Sequence, residues 1–150
     1  YPTLDALAGV WFVTSQVDGR EAVGWACGKH PDSFEFVEGH VLVGVGAQAY
    51  GGAVASSAGA GATLVLHTTM EACRTSKDIT VKWADPTHRV IEVARCVGTP
   101  RVVRAVRDLA ANVAVVRQCC DPTGKALKYV GLDEPCPPGS TGEKPTPLRR

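Results

Sequence analysis

From about residue 77 to residue 131 this chain is cut into short apolar runs by turn residues, and that rhythm constrains its fold more than any other feature. The runs 78–84, 89–96, 101–107, 112–120 and 125–131 are separated by Asp85-Pro86-Thr87-His88, Gly98-Thr99-Pro100, Asp108 to Ala111 and Asp121-Pro122-Thr123-Gly124. A repeat of about 12 residues, each closed by turn chemistry, is the signature of an antiparallel meander. Side chains alternate within the runs: Ile91, Val93 and Arg95 share one face, and Val90, Glu92 and Ala94 the other. The many β-branched residues and dense turns disfavour a helical bundle.

The N-terminal half continues the pattern less regularly. Val10 to Val17 reads as a strand ended by Asp18-Gly19, and 20–32 as a long loop. Ser33 to Val37 alternates around Phe34 and Phe36. After Glu38-Gly39, the stretches 40–49 and 63–70 are strands, and the Gly/Ala/Ser-rich stretch 51–62 reads as a lightly packed hairpin region. The strands 10–17, 40–49, 63–70, 78–84, 89–96, 101–107, 112–120 and 125–131 number eight. A sandwich fits this pattern. Short turns between sequential neighbours favour an eight-stranded antiparallel up-and-down β-barrel, which also removes exposed edges.

Composition narrows the setting. At 150 residues the chain is long enough for one ordinary domain, placed at 1–136, with the polar, Pro-rich and basic stretch 137–150 as a flexible tail. A net charge of +1 gives no strong pull toward nucleic acid, and no apolar run is long enough for a membrane helix. The cysteines are Cys27, Cys73, Cys96, Cys119, Cys120 and Cys136, an even set with no C-x-x-C spacing. They read as disulfides of a secreted, extracellular protein. A start at Tyr1 without a leader fits a mature secreted chain. Fifteen full pairings are possible, and neighbouring Cys119 and Cys120 are expected to bond to different partners because successive strand residues face opposite ways.

Three stretches resemble the lipocalins, secreted barrels that hold small apolar molecules. Gly9-Val10-Trp11 is similar to the family's first motif, Gly-x-Trp on the first strand. Asp108 through Cys119 resembles the second motif, with Arg107 and Leu109 in place of its Thr and Tyr. Lys125 to Leu132 resembles the strand of the third motif. The arginine that normally caps the first-strand Trp is missing there, since Asp133 follows Leu132. The resemblance implies a divergent lipocalin with one open end. It places the loops after the first, third, fifth and seventh strands at that mouth, where the cysteines would brace them and Cys136 would reach back from the tail.

The resemblance makes the protein a carrier whose partner is a small hydrophobic ligand of the fatty acid, retinoid, pigment or steroid class. Trp25, Phe34, Phe36, Val41, Val43, Val45, Leu64, Leu66, His67, Val81, Trp83 and Tyr129 are the candidate lining residues, and Gly9, Trp11 and Asp108 the structural motif residues. An amine ligand would need acids inside, where Glu35, Glu38 and Glu92 are the strand acids available. The alternative is a secreted protein-binding module or inhibitor acting through its loops, with the basic tail as a further contact for a protein partner. No cofactor or metal site is read: Cys27 and His30 are too few for a tetrahedral site, and only His40 and His67 fall on strands expected to be neighbours. Enzymatic activity is not expected. Ser15, Ser33, Ser56, Ser57, Ser76 and Ser140 lack a nucleophile-elbow context, and no carboxylate pair stands out.

Overall fold

The computed structural model describes residues 3–25, 31–45, 48–70, 75–93, 99–107, 113–131 and 134–140. Among them the chain is all β apart from one 3₁₀ turn, Asp5–Leu7. Eleven strands form: β1 (Gly9–Val17), β2 (Arg20–Trp25), β3 (Ser33–Val37), β4 (His40–Val45), β5 (Gln48–Ala60), β6 (Thr63–Met70), β7 (Thr75–Trp83), β8 (His88–Val93), β9 (Arg101–Val106), β10 (Ala114–Cys120) and β11 (Ala126–Gly131). Contacts divide the chain into two compact units. The first comprises Tyr1–Val13 and Asp32–Arg107, the second Thr14–Pro31 and Asp108–Arg150.

The first unit is a closed eight-stranded antiparallel barrel. Its strands run in the order β1-β3-β4-β5-β6-β7-β8-β9, and β9 pairs back onto β1. The first half of β1 pairs with β3, Trp11 standing opposite Phe34. Every later neighbour is the next strand in sequence, which makes the barrel an up-and-down meander. Glu38-Gly39 joins β3 to β4 with positive φ at both residues, the type I′ geometry that suits a two-residue hairpin. Gly9 opens β1 at φ +114°, a backbone conformation that L side chains rarely adopt. The core is built from the inward alternate residues of these strands: Phe34 and Phe36, Val41 and Val43, Leu64 and Leu66, Ile79 and Val81, Ile91 and Val93, with Leu7, Trp11 and Ala105.

The barrel expected from the sequence is therefore present, but two of its strands are different ones. The runs 112–120 and 125–131 form β10 and β11, which do not enter the barrel. Their places are taken by β3 and by β5. The expected strand 40–49 divides at residues 46–47 into β4 and the start of β5. The stretch 51–62 is not a loose hairpin region: β5 runs through it as far as Ala60, pairing with β4 up to Ala53 and with β6 from Gly52 to Ala60. Gly, Ala and Ser have low strand propensity, and pairing to neighbours overrides it. The mostly local antiparallel connections also keep the ladder easy to form despite that poor propensity.

The second unit is a smaller sheet. The end of β1 (Ser15–Val17) pairs with β2 across the Asp18-Gly19 turn, so 20–25 is a strand and not part of a long loop. Ordinary turn chemistry, positive φ at Asp18 and Gly19, makes this hairpin. β2 pairs in parallel with β10, and β10 pairs antiparallel with β11. Cys119 on β10 is bridged to Cys136. Cys120 is also disulfide-bonded, so the two neighbours take different partners as expected. Cys136 does reach back from the tail. The bridge it makes belongs to the second unit and not to a barrel loop, because β10 is not a barrel strand. Cys27, Cys73 and Cys96 lie outside the described residues, as do Asp108 and 141–150.

Candidate functional site

The candidate site is the interior of the barrel, where the inward residues form one apolar cluster, together with the end at which Trp11 lies. Strand geometry explains the interior directly. Side chains alternate between faces, so in each barrel strand every second residue points inward. Phe34, Phe36, Val41, Val43, Leu64, Leu66 and Val81 all face the core as the sequence reading expects. Trp83 is half-buried and packs against the same cluster. The same periodicity adds Ile79, Ile91, Val93 and Ala105 to the buried wall, and Val13, Val54 and Val103 pack against it. These were missed although the alternation that reveals them is plain in the sequence. Thr68 is a buried hydroxyl on an inward position of β6, 1% exposed.

Other expected lining residues lie elsewhere. His67 is on the outer face of β6, bonded to Asp78 across the strand pair, because it sits between inward Leu66 and Thr68. Tyr129 is exposed on β11 in the second unit. Trp25 lies on β2, opposite the backbone of Arg117, and its side chain, like that of Val45, is outside the described residues. His40 and His67 do not meet: β5 stands between their strands, with Ala53 opposite His40 and Ser56 opposite His67. No carboxylate is buried among the described residues. Glu35 alternates with inward Phe34 and Phe36 and so points outward, Glu38 lies in an exposed turn and Glu92 is exposed.

The closed end is built around Trp11. The 3₁₀ turn at Asp5–Leu7 brings the Leu7 carbonyl to the edge of the ring, and the indole Nε1 donates to it at 2.9 Å. Leu7 is itself fully buried. Two guanidinium groups lie over the Trp11 ring, that of Arg89 4.8 Å and that of Arg107 4.6 Å from its centroid. Arg89 also lies 4.3 Å over Trp83. Each arginine is anchored by carbonyls. Arg89 Nη1 donates to Asp85 O at 2.9 Å and to His88 O at 3.0 Å, and Arg107 Nη2 donates to Ala6 O. Burial, reinforced by the neighbouring Arg107 charge, pulls Arg89 below the usual arginine range, and Asp85 opposes the shift. A guanidinium is still charged there at neutral pH. The aromatic faces offer a cation partial compensation without a buried carboxylate.

The β7–β8 turn holds Arg89 in place. Asp85 Oδ1 accepts from Thr87 N, from the Thr87 hydroxyl and from His88 N, each at 2.9 Å, and contacts His88 Nδ1 at 2.9 Å. The hydrogen bond with His88, then that from the Thr87 amide, holds the Asp85 carboxyl well below the usual carboxylate range. This Asx turn is what the Asp-Pro-Thr-His sequence encodes. At the opposite end of the barrel Arg101 pairs with Asp32 at 3.8 Å, and Asp32 O accepts from Val13 N. The last residues of β4, β6 and β8 and the first of β5, β7 and β9 also lie at that end; 46–47, 71–74 and 94–98 are outside the described residues.

No protein-family model, curated protein or solved structure matches this chain.

Proposed function

We propose that this protein is a lipocalin-like carrier that holds a small apolar molecule inside its barrel. The observation that carries the reading is an eight-stranded barrel with an apolar inner wall, sealed at one end by Trp11 beneath two arginines. An eight-stranded barrel is just wide enough to hold one small ligand, and an apolar wall with a few polar groups is the usual design of such sites. Arg107 follows the eighth barrel strand and stacks on the first-strand Trp. An arginine against the first-strand Trp is what the resemblance to lipocalins implies, and Arg107 supports the reading in that sense.

The lack of a buried carboxylate among the described residues favours a neutral or acidic apolar ligand of the fatty acid, retinoid, pigment or steroid class over an amine. Disulfides at Cys119 and Cys120 support secretion, because such bonds persist in oxidising compartments. The test is native mass spectrometry of protein purified from its natural source, with absorbance and organic extraction. A co-purifying apolar mass in one-to-one ratio is the expected result. An empty protein whose Trp fluorescence is unmoved by fatty acids, retinoids and tetrapyrroles would instead support a secreted protein-binding module.

A further inference from the structure

The outer face of the barrel carries a row of side chains that the carrier reading does not use. Ser56 on β5 is the cross-strand partner of His67 on β6, and His67 is the cross-strand partner of Asp78 on β7. Directly opposed residues of an antiparallel pair project to the same side, with Cβ atoms about 4.5–5.5 Å apart. Ser, His and Asp therefore stand in one line across three adjacent strands, with the imidazole in the middle. The imidazole is held from the Asp side: His67 Nδ1 lies 2.9 Å from Asp78 Oδ1. With Nδ1 against the carboxylate, Nε2 is the ring nitrogen left for Ser56, which stands one strand spacing away and is not hydrogen-bonded to the ring; a Ser-His-Asp triad assigns the two nitrogens in the same way.

Two backbone features fall at the serine. The β5–β6 ladder is irregular between Val54 and Ser56, and bulges commonly re-aim a side chain beside functional sites. The pairing of β5 with β4 ends at Ala53, beyond which only Val54 N still bonds across, to Gly39 O. In an antiparallel strand, alternate N–H groups point to opposite sides. Past Val54, those pointing away from β6 face an edge that no described strand covers. Ser56, His67 and Asp78 are all solvent-accessible, His67 and Asp78 at about half of their side-chain surface.

We propose that Ser56, His67 and Asp78 form an acyl-transfer site acting on small carboxylic esters. Ser56 Oγ bonds to the acyl carbon and its proton passes to His67 Nε2. The C–O bond to the alcohol breaks as the imidazolium returns that proton to the leaving oxygen. Water, deprotonated by His67, then releases the acid, and the proton returns to Ser56 Oγ. Ser56 and His67 are the catalytic residues. Asp78 is a positioning residue that holds the ring and stabilises the imidazolium. The exposure of all three side chains suits short acyl groups with good leaving groups and slow turnover.

The test is exposure of the purified full chain to a fluorophosphonate, followed by intact mass and peptide fragmentation, alongside hydrolysis of 4-nitrophenyl acetate. One adduct is expected, on Ser56. Ser56→Ala abolishes it, whereas Ser57→Ala, whose position lies opposite Leu66 in the next row, retains it. His67→Gln lowers the labelling rate about 100-fold, the scale of lost general-base catalysis. Asp78→Asn lowers it about 10-fold or more, and Asp78→Glu restores part of the rate, which a merely structural role would not predict. These positions are exposed, and unchanged urea melts show that each variant folds. No adduct, an adduct on another residue, or labelling unchanged by Ser56→Ala or His67→Gln overturns the proposal.

Discussion

Asp85 and Arg107 show how single side chains set the closed end. Asp85 gathers three donors and His88 Nδ1 in one turn, and its carboxyl is held below the ordinary value of 3.8. A depressed folded-state pKa means that this group adds stability above about pH 4 and loses it as pH falls through the depressed value. Asp121, whose carboxyl is lowered chiefly by the Thr123 hydroxyl and then the Lys125 amide, acts in the same direction in the β10–β11 turn. Acid titration of the stability of Asp85→Asn should therefore show a shallower fall below pH 4 than the parent chain. An identical acid limb would count against the turn as its source. Arg107→Ala should cost about 1–3 kcal/mol, through the lost cation–π contact and the lost bond to Ala6. Arg107→Lys should recover only part of this, because an ammonium keeps the charge but not the planar stack. Urea melts of the two variants measure the difference.

At the level of elements, the hairpin of β10 and β11 is closed by the Cys119–Cys136 bridge, whose ends are 17 residues apart. In the chain-entropy account a loop of that length contributes about 3 kcal/mol, mainly by restricting the unfolded state. Cys119→Ser with Cys136→Ser should lower amide protection in β10 and β11 more than in β6 and β7, since the bridge belongs to the second unit. Uniform loss across the chain in hydrogen exchange would refute that assignment. β5 shows how pairing can make a strand from poor strand formers. Its Gly and Ala residues carry no period to read, whereas β8, with Ile91 and Val93 on alternate positions, does.

For the whole molecule, the carrier reading depends on the interior being available to a ligand. Val43→Phe adds bulk to a side chain that is 2% exposed in the core. It should destabilise the fold by about 1–3 kcal/mol and weaken binding of a fluorescent fatty acid by about 10-fold or more. Leu127→Asn, on exposed β11 in the second unit, should leave that binding unchanged. Equal losses from both variants, measured by fluorescence titration, would remove the interior as the binding site. A co-purified ligand should also raise the melting temperature in proportion to the logarithm of its concentration.

Local chemistry alone determined that the described residues are mainly β, where most of their turns fall, and which side of most strands is apolar. Those properties depend on neighbours one to four residues apart, through side-chain alternation and the backbone preferences of Gly, Pro and Asp. The closed antiparallel architecture followed from the same rhythm. Only the tertiary structure decided which eight strands close the barrel. β10 and β11 read as strands in the sequence just as the barrel strands do, but β10 pairs in parallel with β2 and β11 follows it, and long-range pairing leaves no local mark. The same is true of Arg89 and Arg107 on Trp11, separated from it by most of the barrel, and of Ser56, His67 and Asp78, aligned only by the register of three strands.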